Sequence, residues 1–133
     1  MSYLNDSDWV ADWLAGKPQA VRLITNLSEE NVAISLITFG EIYEGIYYGR
    51  DPREAEVGFK KFLREVEVLP LNRAIMRDFA RIRGELRRSG QLIGDPDLLI
   101  AATALHHNLT LVTRNVKDFQ RTPKLKLYQV GVN

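Results

Sequence analysis

The sequence predicts an α/β fold in which a parallel sheet of about five strands is covered by helices on both faces. Three observations lead to this prediction. Short apolar runs alternate with stretches of helical periodicity along the whole chain, as in parallel sheets. The 133 residues, 45% of them hydrophobic, suit one domain with one core. The chain has no repeat and no Ser/Gly linker, so we expect a single domain over residues 1–133.

The individual elements follow from apolar spacing and from the turn-forming residues between the elements. The predicted strands are residues 3–5, 32–37, 66–69, 109–113 and 125–128. The predicted helices are residues 9–15, 18–27, 39–48, 52–64, 73–89 and 96–107. The helix at 73–89 is amphipathic, with arginines on its polar face. The segment LLIAATAL, residues 98–105, is apolar almost all round, which predicts a buried helix.

Composition excludes several classes of protein. The chain has no cysteine, so any metal ion must be bound by carboxylates, amides or the two histidines. The first residues, MSYLNDSDWV, lack the basic flank and apolar run of a signal peptide, and no apolar stretch is long enough to span a bilayer. We therefore expect a cytoplasmic protein without a membrane segment.

The charge is unevenly distributed along the chain. Residues 1–72 contain 7 Lys and Arg against 12 Asp and Glu, whereas residues 73–133 contain 11 against 5. Six of the basic residues are arginines between Arg73 and Arg88. Such a basic segment can contact a nucleic-acid backbone, and it is equally well explained as a solvated helix face.

Acidic residues follow four of the predicted strands or open the helices beside them. In chain order they are Asp6, Asp8, Glu41, Asp95, Asp97 and Asp118. The carboxyl ends of parallel strands share one edge of the sheet, which is where ligands bind in open α/β folds. The sequence therefore predicts that these acids converge on one pocket.

Each acid also has a purely structural explanation, because carboxylates are favoured as caps and in the first turns of helices. Thr38 and Glu41 have the T-x-x-E spacing of a capping box. Asp8 could cap a helix that begins at the next residue. Asp95 suits the N-cap of the buried helix, with Pro96 at its first position, and we prefer that role for it.

The convergence of the acids is stronger evidence than any single one. Two carboxylates about 5 Å apart repel by about 3 kcal/mol at an effective dielectric constant of about 20. Three or four of them therefore need protonation or a cation, and a marginally stable protein would not keep them otherwise. Mg²⁺ or Mn²⁺ binds such oxygens, activates water and stabilises charge on a phosphodiester. We therefore expect metal-dependent phosphoryl chemistry.

The most distinctive block is IG-x-x-D-LLIAATA followed by LTLVTRN-x-x-DF, and further matches lie in YLNDSDWVADWL, AISLITFGEIYEGI, VLPLN and KLKLY. With these blocks the chain resembles PIN domains, specifically VapC toxins, along nearly its whole length. The resemblance implies a PIN-like three-layer α/β/α sandwich with a Mg²⁺ or Mn²⁺ site at the carboxyl ends of the strands. It further implies an endoribonuclease toxin, a VapB-like antitoxin that docks in a groove, and a homodimer.

The resemblance also assigns roles to residues. It implies that Asp6, Glu41 and Asp97 bind the metal ion, and Asp118 is a further catalytic candidate. The auxiliary candidates around them are Ser7, Asp8, Asn115 and Asp95. The candidates for RNA binding come from the basic second half of the chain and not from the resemblance; they are Arg77, Arg81, Arg88 and Arg114.

The chain departs from the family pattern at three positions. Asn5 replaces a hydrophobic strand residue, and Ser7 replaces a threonine but keeps its hydroxyl. Asn115 stands where many PIN domains have a fourth aspartate. An amide there weakens a second metal position, so we expect one well-held ion.

Two other functions stay open at this point. The first is a PIN fold that binds RNA without cleaving it, which the amide of Asn115 favours. The second is a phosphoacceptor signalling domain, a class that needs an aspartate at the end of a central third strand, where this chain has LPLN.

Overall fold

The computed structural model describes residues 3–129, and it contains the predicted parallel sheet. Five strands lie in the order β3-β2-β1-β4-β5, and each neighbouring pair is parallel. In chain order they are β1 (Tyr3–Asn5), β2 (Val32–Ser35), β3 (Glu67–Leu69), β4 (Thr110–Val112) and β5 (Lys126–Leu127). The first strand is therefore central, and its carboxyl end lies between those of β2 and β4.

Seven α-helices accompany these strands within residues 3–129. They are α1 (Ser7–Leu14), α2 (Pro18–Leu27), α3 (Leu36–Tyr47), α4 (Pro52–Leu63), α5 (Arg73–Arg88), α6 (Asp95–His106) and α7 (Val116–Phe119). A short 3₁₀ helix, Ser28–Glu30, precedes β2. In this part of the chain no helix has both the length and the apolar character needed to cross a bilayer.

Side chains that alternate along the strands divide the core between the two faces of the sheet. Val32 and Ile34 point to a cluster that contains the buried residues of α1, α2, α3 and α4. Ala33 points to the opposite cluster, which contains the inner residues of α6. On the outside of α6, the helix α5 packs through Ile82 and Leu86. The predicted three-layer α/β/α architecture is thus confirmed.

The buried helix α6 has the character that its sequence predicts. Residues 100–104 are all buried, and the alanines among them let the helix lie close to the sheet. At its beginning, however, Gly94 occupies the N-cap position and makes no side-chain capping bond. The predicted N-cap role of Asp95 is therefore wrong, because the helix already begins at that residue.

The start of α3 also differs from the prediction. The hydroxyl of Ser35 accepts a hydrogen bond from the backbone N–H of Thr38 at 3.0 Å, so Ser35 is the N-cap. The predicted T-x-x-E capping box is wrong. Glu41 lies one and a half turns into α3 and has no capping function, which leaves its carboxylate for another purpose.

The third strand, β3, lies at the edge of the sheet and ends at Leu69. A phosphoacceptor domain would need a central strand with an aspartate at this point. The topology therefore removes the support for that alternative.

Asn5 is the most unusual core residue. It ends the central strand and is completely buried. Within residues 3–129, neither its amide oxygen nor its amide nitrogen has a hydrogen-bond partner. A buried polar group without a partner costs about 1–3 kcal/mol, so this position lowers the stability of the fold.

We expect Asn5→Leu to raise the free energy of unfolding by about 1–3 kcal/mol, because leucine has the same branching at Cγ and no polar atoms to desolvate. Thermal denaturation measures the change. The control is Asn5→Ala, which removes the amide but leaves a cavity and should not stabilise. An unchanged or lower melting temperature for Asn5→Leu would contradict the view that the unpaired amide destabilises the fold.

Candidate active site

The acids predicted from the sequence lie at the carboxyl edge of the sheet, with one exception. Asp6 directly follows β1, and Glu41 lies in the helix that follows β2. Asp97 lies in the first turn of α6, and Asp118 lies in α7 after β4. The charge of Asp97 acts on Asp6, so two residues far apart in the sequence are neighbours here.

Asp6 is the most deeply buried acid of the site, with 7% of its surface exposed. One carboxylate oxygen accepts the N–H of Ser7 and the other accepts the hydroxyl of Thr113, both at 2.7 Å. Burial and the charges of Asp8 and Asp97 outweigh these two hydrogen bonds and raise the pKa of Asp6 to about 6. A cation beside this carboxylate would therefore stabilise its ionised form.

Asp97 and Asp118 are linked by one amide. The Nδ2 atom of Asn115 donates to a carboxylate oxygen of each, at 3.2 Å in both cases. The pKa of Asp97 is raised by burial and then by the charges of Glu41 and Asp118. Asn115 occupies the N-cap position of α7 but makes no side-chain capping bond there. Its side chain is directed to the acids instead.

Glu41 is held by a residue of another helix. The hydroxyl of Ser7 donates to Oε1 of Glu41 at 2.6 Å, and the hydroxyl oxygen of Thr38 lies 3.2 Å from Ser7 Oγ. These contacts join the beginning of α1 to α3. The hydroxyl of Ser7 therefore orients the carboxylate of Glu41.

Asp8 and Arg114 form a second group beside the acids. One oxygen of Asp8 accepts the backbone N–H of Arg114 at 2.9 Å. The guanidinium of Arg114 forms an ion pair with Asp12 and lies over the ring of Trp9, 3.9 Å from its centroid. The hydrogen bond from Arg114 holds the pKa of Asp12 below its usual value. Asp12 was not predicted from the sequence, because it lies inside α1 and not at a strand end.

Asp95 is the acid that the structure does not bring to the site. Its carboxylate forms an exposed ion pair with Arg83 of α5 at 2.8 Å. The predicted auxiliary role is therefore replaced by a contact between two helices. An exposed ion pair of this kind adds little to stability.

The three arginines predicted on α5 for RNA binding are exposed. Arg81 forms an ion pair with Asp78 of the same helix at 3.0 Å. No contact of this group with the acids is present within residues 3–129, so RNA binding by Arg77, Arg81 and Arg88 stays a prediction.

The donor atoms of the site suit a hard divalent ion. Carboxylate, hydroxyl and amide oxygens are the ligands that Mg²⁺ and Mn²⁺ prefer. Within residues 3–129, no three acids or histidines are close enough to form a ready-made metal site by themselves. Mg²⁺ is commonly held by one or two carboxylates and several waters, so a looser group of acids fits a hydrated ion.

Comparison with known proteins decides the family. The model of the PIN domain family matches residues 3–125. The chain belongs to the PIN domain family. As a PIN domain it is similar to ribonuclease VapC2 of Rickettsia felis, with 34% identity over 96 residues that cover 72% of each chain. It is also 28% identical to the tRNA(fMet)-specific endonuclease VapC of Shigella flexneri, over 95% of this chain and 96% of the relative.

Solved structures place this PIN domain in the same group. VapBC2 of Rickettsia felis, bound to a DNA fragment from its promoter, aligns with a TM-score of 0.90 at 28% identity, covering 96% of this chain and 98% of that one. DNA-bound VapBC of Salmonella typhimurium aligns with a TM-score of 0.89 at 27% identity, covering 96% and 97%. The resemblance to VapC proteins is thus confirmed.

Proposed function

We propose that this PIN domain is a metal-dependent endoribonuclease and the toxin of a type II toxin-antitoxin pair. The observation that supports the proposal is the placement of Asp6, Glu41 and Asp97 near one another at the carboxyl edge of the sheet, where the charge of Asp97 acts on Asp6 and that of Glu41 acts on Asp97. Relatives that are called ribonuclease VapC and tRNA(fMet)-specific endonuclease support the choice of RNA as the substrate.

In this proposal Asp6, Glu41 and Asp97 would hold Mg²⁺ or Mn²⁺, directly or through its bound waters, and the ion would supply Lewis-acid stabilisation of the phosphodiester and a more nucleophilic water. The protein fixes these ligands beforehand. Ser7 orients Glu41, and Thr113 orients Asp6. Pre-oriented ligands lose less conformational entropy when the ion binds.

Asp118 is held next to Asp97 and is not needed as a ligand in this scheme. We propose that Asp118 acts as the general base, which accepts the proton of the attacking water. Asn115 donates its two amide hydrogens to these acids, where a fourth aspartate would offer further oxygens to a cation. One ion is therefore expected, not two.

The proposed antitoxin site is a groove between α1, α3 and α4 with a volume of about 430 Å³. Its apolar lining consists of Ala11, Leu14, Ile42, Ile46 and Ala55, and its acidic end contains Asp8 and Glu41. A VapB-like segment with apolar side chains fits this lining, and the structural relatives are themselves VapBC complexes. A homodimer is the proposed assembly of the toxin.

The tyrosines of α3 differ in their environment. Tyr43 packs against the core and donates a hydrogen bond to Glu56 at 2.8 Å. Tyr47 and Tyr48 are 63% and 88% exposed, so these two remain available for a partner surface.

The nuclease proposal is tested with Glu41→Gln and the matched control Glu44→Gln, an exposed glutamate on the same helix. We expect wild type and Glu44→Gln to cleave RNA with Mn²⁺ and to lose the activity in EDTA. Glu41→Gln should lower the rate by more than about 100-fold, since even residues behind the metal ligands change activity by about 10–100-fold.

Full activity of Glu41→Gln would contradict the proposed site. Tight RNA binding by wild type without cleavage in Mn²⁺ would favour the RNA-binding alternative instead.

A further inference from the structure

We propose that Arg114 is a positioning residue: held between Asp12 and the face of Trp9, it fixes the turn that orients the acids of the site, and it does not contact the RNA. This inference rests on the proposed metal-dependent nuclease function. It replaces the expectation, drawn from the sequence, that Arg114 grips the substrate.

The turn after β4 holds the acids near the first strand. The hydroxyl of Thr113 donates to Asp6 at 2.7 Å, and the backbone N–H of Arg114 donates to Asp8 at 2.9 Å. Asp6 is the N-cap of α1 and Asp8 lies in its first turn, both more than 100 residues away in the sequence. The position of this turn therefore decides how these two carboxylates are directed.

The next residue of the same turn holds the other acids. Asn115 donates to Asp97 and Asp118, and its own N–H donates to the hydroxyl of Thr113 at 3.0 Å. Three consecutive residues thus contact acids from the first strand end and from α1, α6 and α7. A displacement of the turn would disturb all of them together.

Arg114 supplies the side chain that ties this turn to α1. Its guanidinium pairs with Asp12 and covers the ring of Trp9, which is only 1% exposed. The side chain of Asp12 is 17% exposed and is held in turn by Lys17 at 3.2 Å. A planar guanidinium can pair and stack at once, which an ammonium cannot do. Asp12 and Trp9 therefore hold the guanidinium of Arg114 in one position.

The same contacts argue against a role in RNA binding. Asp12 already occupies Nη1 of the guanidinium, and Trp9 covers one face of the group, so only the remaining donors and one open face are left for a phosphate. Although the side chain of Arg114 is 41% exposed, these two contacts hold its guanidinium against α1.

Three variants test the proposal: Arg114→Gln, Arg114→Lys and, as a control, Arg22→Gln, an exposed arginine on α2. Calorimetry measures the Kd for Mn²⁺, and kinetics at saturating Mn²⁺ give KM for RNA. We expect both Arg114 variants to weaken Mn²⁺ binding by about 10–100-fold, with KM within about twofold of wild type. Arg22→Gln should match wild type in both measurements.

A direct RNA contact predicts the opposite set of results. Mn²⁺ affinity would then be unchanged, and KM would rise in Arg114→Gln. The slope of log affinity for RNA against log salt concentration would fall by about 1, and Arg114→Lys would restore binding. That outcome overturns the inference. If Arg114→Gln does not fold, Asp12→Asn tests the same contact from the other side, and an unchanged Kd for Mn²⁺ in that variant overturns it as well.

The proposed function fails separately. A wild-type protein that neither binds Mn²⁺ nor cleaves RNA contradicts the nuclease itself. If the wild-type protein binds Mn²⁺ and cleaves RNA, and the Arg114 variants bind Mn²⁺ equally well, only the role of Arg114 is contradicted.

Discussion

Asp6→Asn should lower the rate of RNA cleavage by more than about 100-fold and, in the same protein without metal, raise the melting temperature. Activity falls because the central carboxylate of the proposed metal site is lost. An amide oxygen is a weaker ligand for a divalent ion and carries no charge to offset that of the ion.

Stability rises because the carboxylate of Asp6 is unfavourable in the metal-free fold. It is 93% buried and repelled by Asp8 and Asp97. Asparagine can keep both contacts, since its oxygen can accept the N–H of Ser7 and its amide can donate to the hydroxyl of Thr113. We expect a gain of about 1–3 kcal/mol in the free energy of unfolding at neutral pH.

Cleavage assays and thermal denaturation in EDTA measure the two effects. Glu29→Gln, which neutralises an exposed carboxylate away from the site, serves as the control and should change neither. An Asp6→Asn protein that melts below wild type would show that the carboxylate has a structural function. One that cleaves RNA normally would remove Asp6 from the mechanism.

The sequence predicts most of the fold because residues typical of helix starts and turns mark where many elements begin and end. Pro18 opens α2, and the predicted bounds agree with the observed helix, Pro18–Leu27. The predicted second strand runs two residues too far, because apolar Leu36 and Ile37 continue the pattern of β2. Ser35 caps α3 and turns those residues into its first turn. Apolar runs alone do not distinguish a strand from a buried helix.

The site is predicted less completely than the fold. The location of Asp6, Glu41 and Asp97 at one edge of the sheet is predictable because parallel topology brings strand ends together. Thr113 and Asp12 are missed because their contacts, to Asp6 and Arg114, depend on how β4 lies against β1 and α1. Nothing in the local pattern shows hydrogen bonds between residues more than 100 positions apart. The spacing of Asp8 and Asp12 on one face of α1 was the available signal.

The second large effect is a dependence of stability on pH that a divalent ion should cancel. The pKa of Asp6 is about 6 in the folded protein against 3.8 for an ordinary aspartate. Between these two values the folded chain binds more protons at this group than the unfolded chain does. The contribution of Asp6 to the free energy of unfolding therefore falls as pH rises from about 4 to about 6. It stays low at neutral pH, where both states are ionised.

A difference of about two pH units corresponds to about 3 kcal/mol, so the effect is measurable. Asp97 has a raised pKa and acts in the same direction, whereas Asp12 has a lowered pKa and acts in the opposite one. The contribution of Asp6 is isolated as the stability of wild type minus that of Asp6→Asn at each pH. Without metal, this difference should become more negative as pH rises from 4 to 7.5.

Mn²⁺ should reverse the trend. An ion that binds only the folded protein stabilises it by about 2.7 kcal/mol at 100 times its Kd. It should do so in wild type at pH 7.5, where Asp6 is ionised, and much less at pH 5 or in Asp6→Asn. Equal stabilisation of both proteins at pH 7.5 would mean that the ion binds elsewhere. The buried charge that destabilises the metal-free fold would then have no part in binding metal.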